Sequence, residues 1–256
     1  MILAIDVGNT NITVGCIAGD DITNVFRIST NIARTSDEYS IQINNMLTFH
    51  GMNRFDIKGA VLSCVVPPLT NVFKDAIKLL AQVEAIIVGA GVKTGLNILI
   101  DDPAQLGADM VATAVGALAT CSLPAIIIDL GTATKMFVLN KKGSFMGGAI
   151  LPGVALSMNA LAAGTSQLPR IPIEGPAKSI STNTIDCLKS GVILGAASAI
   201  DGMTEHFEAE IGEKALIIAT GGLAEPVHLL CKRDIVYDPY LTLRGLGIIY
   251  EKNKKK

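Results

Sequence analysis

Two short stretches of this chain carry the residue types that can hold a phosphate. One is Asp6-Val7-Gly8-Asn9-Thr10-Asn11, and the other is Asp129-Leu130-Gly131-Thr132-Ala133-Thr134. Each places an acid at the end of an apolar run and follows it with glycine and a hydroxyl. A carboxylate so placed can take Mg²⁺, directly or through water, because that ion prefers hard oxygen donors. Glycine lets the backbone come close to a phosphate, and turn amides with a threonine hydroxyl can then donate to its oxygens. One such segment reads equally well as a plain hairpin turn, since Gly-Asn is common turn chemistry. Two at matching places make a nucleotide clamp.

Two further segments leave two readings each. Gly107-Ala108-Asp109 opens an alanine-rich stretch. A carboxylate near the positive end of a helix can take a proton from a substrate hydroxyl, or it can cap the helix. Gly221-Gly222 follows the apolar run 216–219. Paired glycines there admit a flat ligand such as adenine, or form a simple loop.

The elements that must position these residues repeat. Residues 2–6, 12–18 and 22–29 are enriched in β-branched residues and punctuated by Gly, Asn and Asp, which predicts a β-meander with a turn at 19–21. The pattern returns at 125–129, 136–140 and 144–150. Between them, Thr35-Ser36-Asp37-Glu38 predicts a capping box opening a helix to Gly51. A strand over 58–66 stopped by Pro67-Pro68, a helix over 70–82, strands at 85–88 and 96–100, and a helix over 106–120 follow. After the second meander, Pro152 suits the first turn of a helix ending at Gly164. A long helix over 184–210, a strand at 216–219, a short helix and strand, and a last helix to 250 complete the chain. An internal repeat of this kind outweighs any single motif. It predicts an α/β protein of two tandem halves, 1–122 and 123–256, with a cleft between them.

Composition narrows the classes. At 256 residues, half of them hydrophobic, the chain can build its core without disulfides or a structural metal. The net charge is −2 and no basic stripe is present, so nucleic acid is not expected as a partner. Lys252, Lys254, Lys255 and Lys256 read as a short solvated tail. Five scattered cysteines, none in a CxxC pair, fit a reducing cytoplasm and read as small buried hydrophobes. The uncharged stretch 144–169 is broken by Gly147, Gly148, Pro152 and Gly153, so it is not expected to span a membrane.

Taken together, Asp6-Val-Gly-Asn-Thr10, Leu62-Ser-Cys-Val-Val-Pro67, Asp102-Pro103, Gly107-Ala-Asp109, Asp129-Leu-Gly-Thr-Ala-Thr134, Gly147-Gly-Ala-Ile-Leu-Pro-Gly153, Asn183-Thr184, Gly221-Gly222 and Leu241-Thr-Leu-Arg-Gly-Leu246 resemble, in order and spacing, the motif series of type III pantothenate kinases. The resemblance runs over nearly the whole chain. It implies a duplicated ribonuclease H-like fold of the acetate/sugar kinase–Hsp70–actin class, a homodimer, and phosphorylation of pantothenate by ATP. It also implies a divalent ion such as Mg²⁺ and a monovalent cation, K⁺ or NH₄⁺. By position, Asp6, Val7, Gly8, Asn9, Thr10, Asn11, Ile12 and Thr13 would cradle ATP phosphates, and Thr132 would touch ATP. Asp129 would bind the monovalent cation. Asp109 would accept the proton, and Gly107, Ala108, Asp109, Met110 and Thr184 would line the pantothenate site.

Four positions depart from the family pattern. Met110 stands where an Arg is usual, Ile100 where a Tyr is common, and Lys135 and Phe137 where a Thr and an Asp are usual. An Arg fork is not replaced conservatively by Met, and Lys135 is the nearest alternative cation by motif. These departures bear on the acceptor. They leave two rivals: a kinase for another hydroxyl substrate, and a nucleotide-binding pseudo-kinase with a regulatory role.

Overall fold

A computed structural model describes residues 1–19, 21–175 and 178–254. Asp20 of the expected turn, and the terminal Lys255 and Lys256, lie outside the described residues. The chain forms two compact units. The first gathers Met1–Leu96, Asp101–Thr120 and the chain from Leu241 onward, and the second gathers Asn97–Ile100 and Cys121–Tyr240.

In the first unit, β1 (Ile2–Val7), β2 (Asn11–Ala18) and β3 (Asp21–Ser29) form the expected antiparallel meander. β4 (Ala60–Cys64) and β5 (Ala85–Ile87) add in parallel, giving the order β3-β2-β1-β4-β5. Side chains alternate between the faces of a strand. Leu3, Ile5, Val7, Ile12, Val14 and Leu62 therefore share one face, buried against α1 (Ser36–Phe49) and α2 (Pro67–Ala81). The capping box forms as read: the Thr35 hydroxyl accepts from the Glu38 amide, and the Glu38 carboxylate accepts from the Thr35 amide at 2.8 Å. Pro67 both stops the strand and starts α2, three residues before the expected 70, because proline suits the first helical turn.

The opposite face carries Ala4, Asp6, Val61 and Ser63. It meets α3 (Ala108–Thr120) and a last helix, α8 (Leu241–Asn253). The two helices cross at backbone contact. A Cβ on Gly245 would overlap the Ala112 carbonyl oxygen and stand 2.9 Å from the Gly116 nitrogen. This contact places α8 in the first unit, so a single division between 122 and 123 does not describe the chain. Of the lysines read as a solvated tail, Lys252 is held in place. Lys252 lies within α8 and donates to the Thr94 carbonyl at 3.0 Å.

In the second unit, β7 (Ala125–Leu130), β8 (Ala133–Leu139) and β9 (Ser144–Pro152) repeat the meander, and β10 (Leu216–Thr220) and β11 (Val236–Tyr237) add in parallel. The order is β11-β10-β7-β8-β9, extended by the edge strand β6 (Asn97–Ile98) beside β9. Without β6 this is the order and polarity of the first sheet. The chain is thus an α/β protein of two ribonuclease H-like halves. Ile126, Ile128, Met136, Val138 and Ile217 pack against α4 (Val154–Gly164), α5 (Thr184–Lys189), α6 (Gly195–Ile211) and α7 (Glu225–His228). A π-helical turn, Ser190–Leu194, joins α5 to α6 as one long rod. Pro152 does not open α4 as expected. It ends β9, paired with Ala133, and Gly153 provides the N-cap. No helix of the described residues is long and apolar enough to cross a membrane.

The cysteines are all free. Only part of their expected burial is observed. Cys16 is buried, and burial pushes its thiol up to about 11, while Cys187 is exposed.

The buried Glu208 on α6 is an electrostatic anchor of the second unit. It accepts from Arg233 Nη2 at 2.7 Å, from Lys214 Nζ at 2.7 Å and from the Ala215 amide at 3.1 Å. Arg233, foremost, holds the carboxyl down at about 2, against its usual value of 4.5. A depressed acid stabilises the fold fully above its unfolded value and loses that contribution as pH falls through its folded one. Stability should therefore fall between about pH 4.5 and pH 2. Glu208→Gln should cost roughly 2–3 kcal/mol at neutral pH and flatten that acid limb. Urea unfolding of both proteins at pH 7 and pH 3 checks this, and a parallel pH dependence would refute the assignment.

Candidate functional site

The first turn joins β1 to β2. The Gly8 amide donates to the Asn11 carbonyl at 3.0 Å, and a Cβ at Gly8 would stand 3.0 Å from that same oxygen. β3 braces the turn: the Thr30 hydroxyl donates to the Gly8 carbonyl at 2.6 Å, and the Thr30 amide to the Thr10 carbonyl at 3.0 Å. Asn9, Thr10 and Asn11 are exposed at the tip, while Val7 and Ile12 anchor its base in the core. Asp6, at the end of β1, pairs in register with Thr13 on β2 and Ser63 on β4. The Ser63 hydroxyl is buried with no hydrogen-bond partner among the described residues.

The first turn of α3 lies at this same end of the first sheet. The Val65 amide donates to the Val7 carbonyl at 3.0 Å, and a Cβ on Gly107 would stand 3.7 Å from the Val65 side chain. Gly107, Ala108, Asp109 and Met110 are thus brought near the Asp6–Thr13 segment. Asp109 Oδ1 accepts from the Met110 amide at 2.7 Å, a cap-like contact. A Cβ on Gly107 would stand 2.5 Å from that oxygen, so the Asp109 carboxylate would have to shift. The Thr113 hydroxyl donates to the Asp109 carbonyl at 2.7 Å and lies 2.8 Å from the Thr242 hydroxyl on α8.

The second turn repeats the first. The Gly131 amide donates to the Ala133 carbonyl at 3.2 Å. Asp129, at the end of β7, pairs in register with Lys135 on β8 and Thr220 on β10, as Asp6 pairs with Thr13 and Ser63. Lys135 Nζ sits 2.7 Å from Asp129 Oδ2, with both side chains about one-sixth exposed (17% and 16%). Gly221 has φ of +100°, and a Cβ there would lie 2.7 Å from Asp129 Oδ1. The positive φ and the Leu130 carbonyl oxygen, 2.6 Å from that Cβ, explain the glycine, while Gly222 faces open space. Gly153 packs on the carbonyls of Gly131 and Thr132, and the Thr132 side chain stays exposed.

Thr184 is the first residue of α5, whose N-cap Asn183 accepts from the Asp186 amide at 3.0 Å. With Thr134, it lines an apolar pocket of about 950 Å³ in the second unit, walled by Leu151, Leu156, Leu161 and Ile200. Sequence reading placed Ser63 in a motif but gave it no role, and it missed Thr220. Their signal lay in the repeat itself, since each hydroxyl follows an apolar strand that runs parallel to the Asp-ended one. Among the described residues, no three His, Cys, Asp or Glu side chains cluster as a metal cage.

The structure of a Campylobacter jejuni protein classed with the Baf family superposes with a TM-score of 0.63 at 19% identity, covering 98% of both chains. The activator of 2-hydroxyisocaproyl-CoA dehydratase from Clostridium difficile, solved with bound ADPNP, superposes at 0.56 and 13% identity, covering 100% of this chain and 98% of its own. These likenesses show the fold. In sequence, the type III pantothenate kinase of Halalkalibacterium halodurans is 40% identical over 253 residues, 99% of this chain and 100% of the relative. The family model for type III pantothenate kinase matches residues 2–206. The turns, the α3 start and these matches converge, and the chain belongs to the type III pantothenate kinase family.

Proposed function

We propose that this chain transfers the γ-phosphoryl group of ATP to the hydroxyl of pantothenate, the first step of coenzyme A synthesis, in the cytoplasm. The observation that carries the reading is the repetition of one arrangement in both units: an acid ending the first strand, a tight glycine turn, and a hydroxyl-bearing neighbour strand. Membership of the family and the ADPNP held by a protein of the same fold support it.

In this reading, amides and hydroxyls of Asp6–Thr13 take the ATP phosphates, and the exposed Thr132 adds a contact. Mg²⁺ fits the donor set at Asp6: one carboxylate, the Thr13 hydroxyl and the buried Ser63 hydroxyl are all hard oxygens. Such an ion is usually held by one or two carboxylates plus the substrate phosphates. When bound, it neutralises charge on the transferring phosphoryl group. Asp109 accepts the proton of the attacking hydroxyl and Gly107–Met110 line the acceptor, while the contact assigned to Thr184 rests on the family resemblance alone. Positioning carries most of the rate, because phosphoryl transfer asks little covalent chemistry of the protein. The monovalent cation expected at Asp129 does not fit, because Lys135 already holds that carboxylate. The same pair compensates the charge of Lys135, so it is a poor substitute for the Arg that Met110 replaces.

A homodimer belongs to the same reading. Met146, Ile150, Leu156, Leu161 and Ile185 are exposed on β9, α4 and α5, with Ile150 73% accessible. Apolar residues gathered this way mark interfaces. We expect sedimentation to show a dimer at micromolar concentration, and Ile150→Glu to shift it to monomer. A monomeric wild type would exclude the assignment.

The function is tested by coupled ADP release with ATP, Mg²⁺ and pantothenate. The reading requires ADP that appears only with pantothenate. Release with a different hydroxyl acceptor alone would favour the other-substrate kinase. Nucleotide binding with no turnover on any acceptor would favour the pseudo-kinase.

A further inference from the structure

The duplication compares one position with itself. In the first turn, the residue opposite the strand-ending acid is Thr13, a neutral hydroxyl. In the second it is Lys135, and its ammonium rests 2.7 Å from the Asp129 carboxylate. The pair is largely removed from solvent, and the turn around it is closed by Gly153 and Gly221, neither of which leaves room for a side chain.

We propose that the Lys135 ammonium is a built-in monovalent cation, and that this chain handles nucleotide without K⁺ or NH₄⁺. Three physical arguments support this. A cation arriving from solvent would meet a carboxylate whose charge is already compensated, with a like charge at hydrogen-bond distance. Lys135 is tethered one strand pair away, so its effective concentration at Asp129 far exceeds that of a dissolved ion. Chemically, a lysine head group is a singly alkylated NH₄⁺, with three remaining N–H donors, so it keeps the charge and most of the donors of one of the two expected ions. The hydroxyl at position 13 shows what this place holds when the position is not charged.

The proposal rests on reading the second turn as a nucleotide turn, and the test separates the two. Calorimetric titration of the full chain with ADPNP and Mg²⁺ is run with tetramethylammonium as the only monovalent cation, then with K⁺. Affinity should agree within about twofold between the two salts. Lys135→Thr should bind roughly tenfold or more weakly in tetramethylammonium, the loss expected for a charge-assisted contact, and recover in K⁺. Thallium-205 resonance gives an independent readout: Tl⁺ should broaden on adding Lys135→Thr and not on adding wild type. If K⁺ strengthens wild-type binding tenfold, or wild type broadens the Tl⁺ signal, Lys135 does not replace the ion and the proposal fails alone. If ADPNP binds in neither salt, the nucleotide reading fails, and this inference with it. Both wild-type measurements stand even if Lys135→Thr does not fold.

Discussion

Asp109→Asn should lower turnover about 10²–10⁴-fold, the usual range for losing a general base, with nucleotide affinity nearly unchanged. This substitution separates the two readings of Asp109. As a cap, the residue contributes an oxygen that accepts from the Met110 amide at 2.7 Å. Asparagine keeps a carbonyl oxygen of the same reach, so the cap survives and stability should move by only a few tenths of a kcal/mol. As a base, the residue contributes a proton acceptor, and a carboxamide has none of useful strength. Asp109→Ala removes both roles and should add about 1 kcal/mol of destabilisation. Turnover near the wild-type rate in Asp109→Asn, measured by coupled ADP release, would leave Asp109 as a cap only.

The next largest effect is expected at the crossing of α3 and α8. Alanine usually gains nearly 1 kcal/mol over glycine inside a helix. At Gly245 the sign should reverse, because the new methyl would overlap the Ala112 carbonyl, and backbone cannot rotate away as a side chain can. Overpacking of this kind costs about 1–3 kcal/mol, sometimes more. The helices must separate, and the Thr113–Thr242 contact, one turn from Asp109, opens with them. A shift near 1 Å at a reacting group can lower the rate about 10²-fold. Gly245→Ala should therefore lose both stability and turnover. Gly202, inside α6 with open space around its Cα, is the control, and Gly202→Ala should be neutral or stabilising. Urea midpoints and turnover for both variants decide it. A Gly245→Ala protein as stable as Gly202→Ala would mean that the crossing tolerates a methyl.

What the sequence disclosed followed from local rules. The β-branched runs of both meanders form strands, Thr35-Ser-Asp-Glu38 forms its box, and the Asp-Gly turns fall where the repeat placed them. The losses came where a residue satisfies two rules. Pro67 ends a strand and begins a helix, and Pro152 could have opened α4 but instead closes an edge-facing strand before Gly153. Other losses came from contacts between distant segments. Register sets Lys135 opposite Asp129, and register depends on how many residues the turn consumes. Nothing local in α8 tells it which sheet to cover; the small residues Gly116 and Gly245 do so only as a pair. Of the candidate site, the acids and glycines were legible as types. The hydroxyls of Ser63 and Thr220 were not, because a lone Ser or Thr at a strand end has no pattern of its own.

The return of α8 to the first sheet has a consequence for synthesis. Chains emerge from the ribosome in order, and domains generally fold as they appear, N-terminal first. Here the first sheet and α3 are made early, but α8, the second helix that covers its Asp6 face, follows the whole of the second unit. The part of that face which α8 covers, around Ala4 and Gly15, therefore waits for its second helix while residues 121–240 are made and fold. The second unit, though later in sequence, is the first that can close. The turn that carries Asp6 acquires its final surroundings last, so phosphate binding by that turn is a property of the finished chain and not of its leading half.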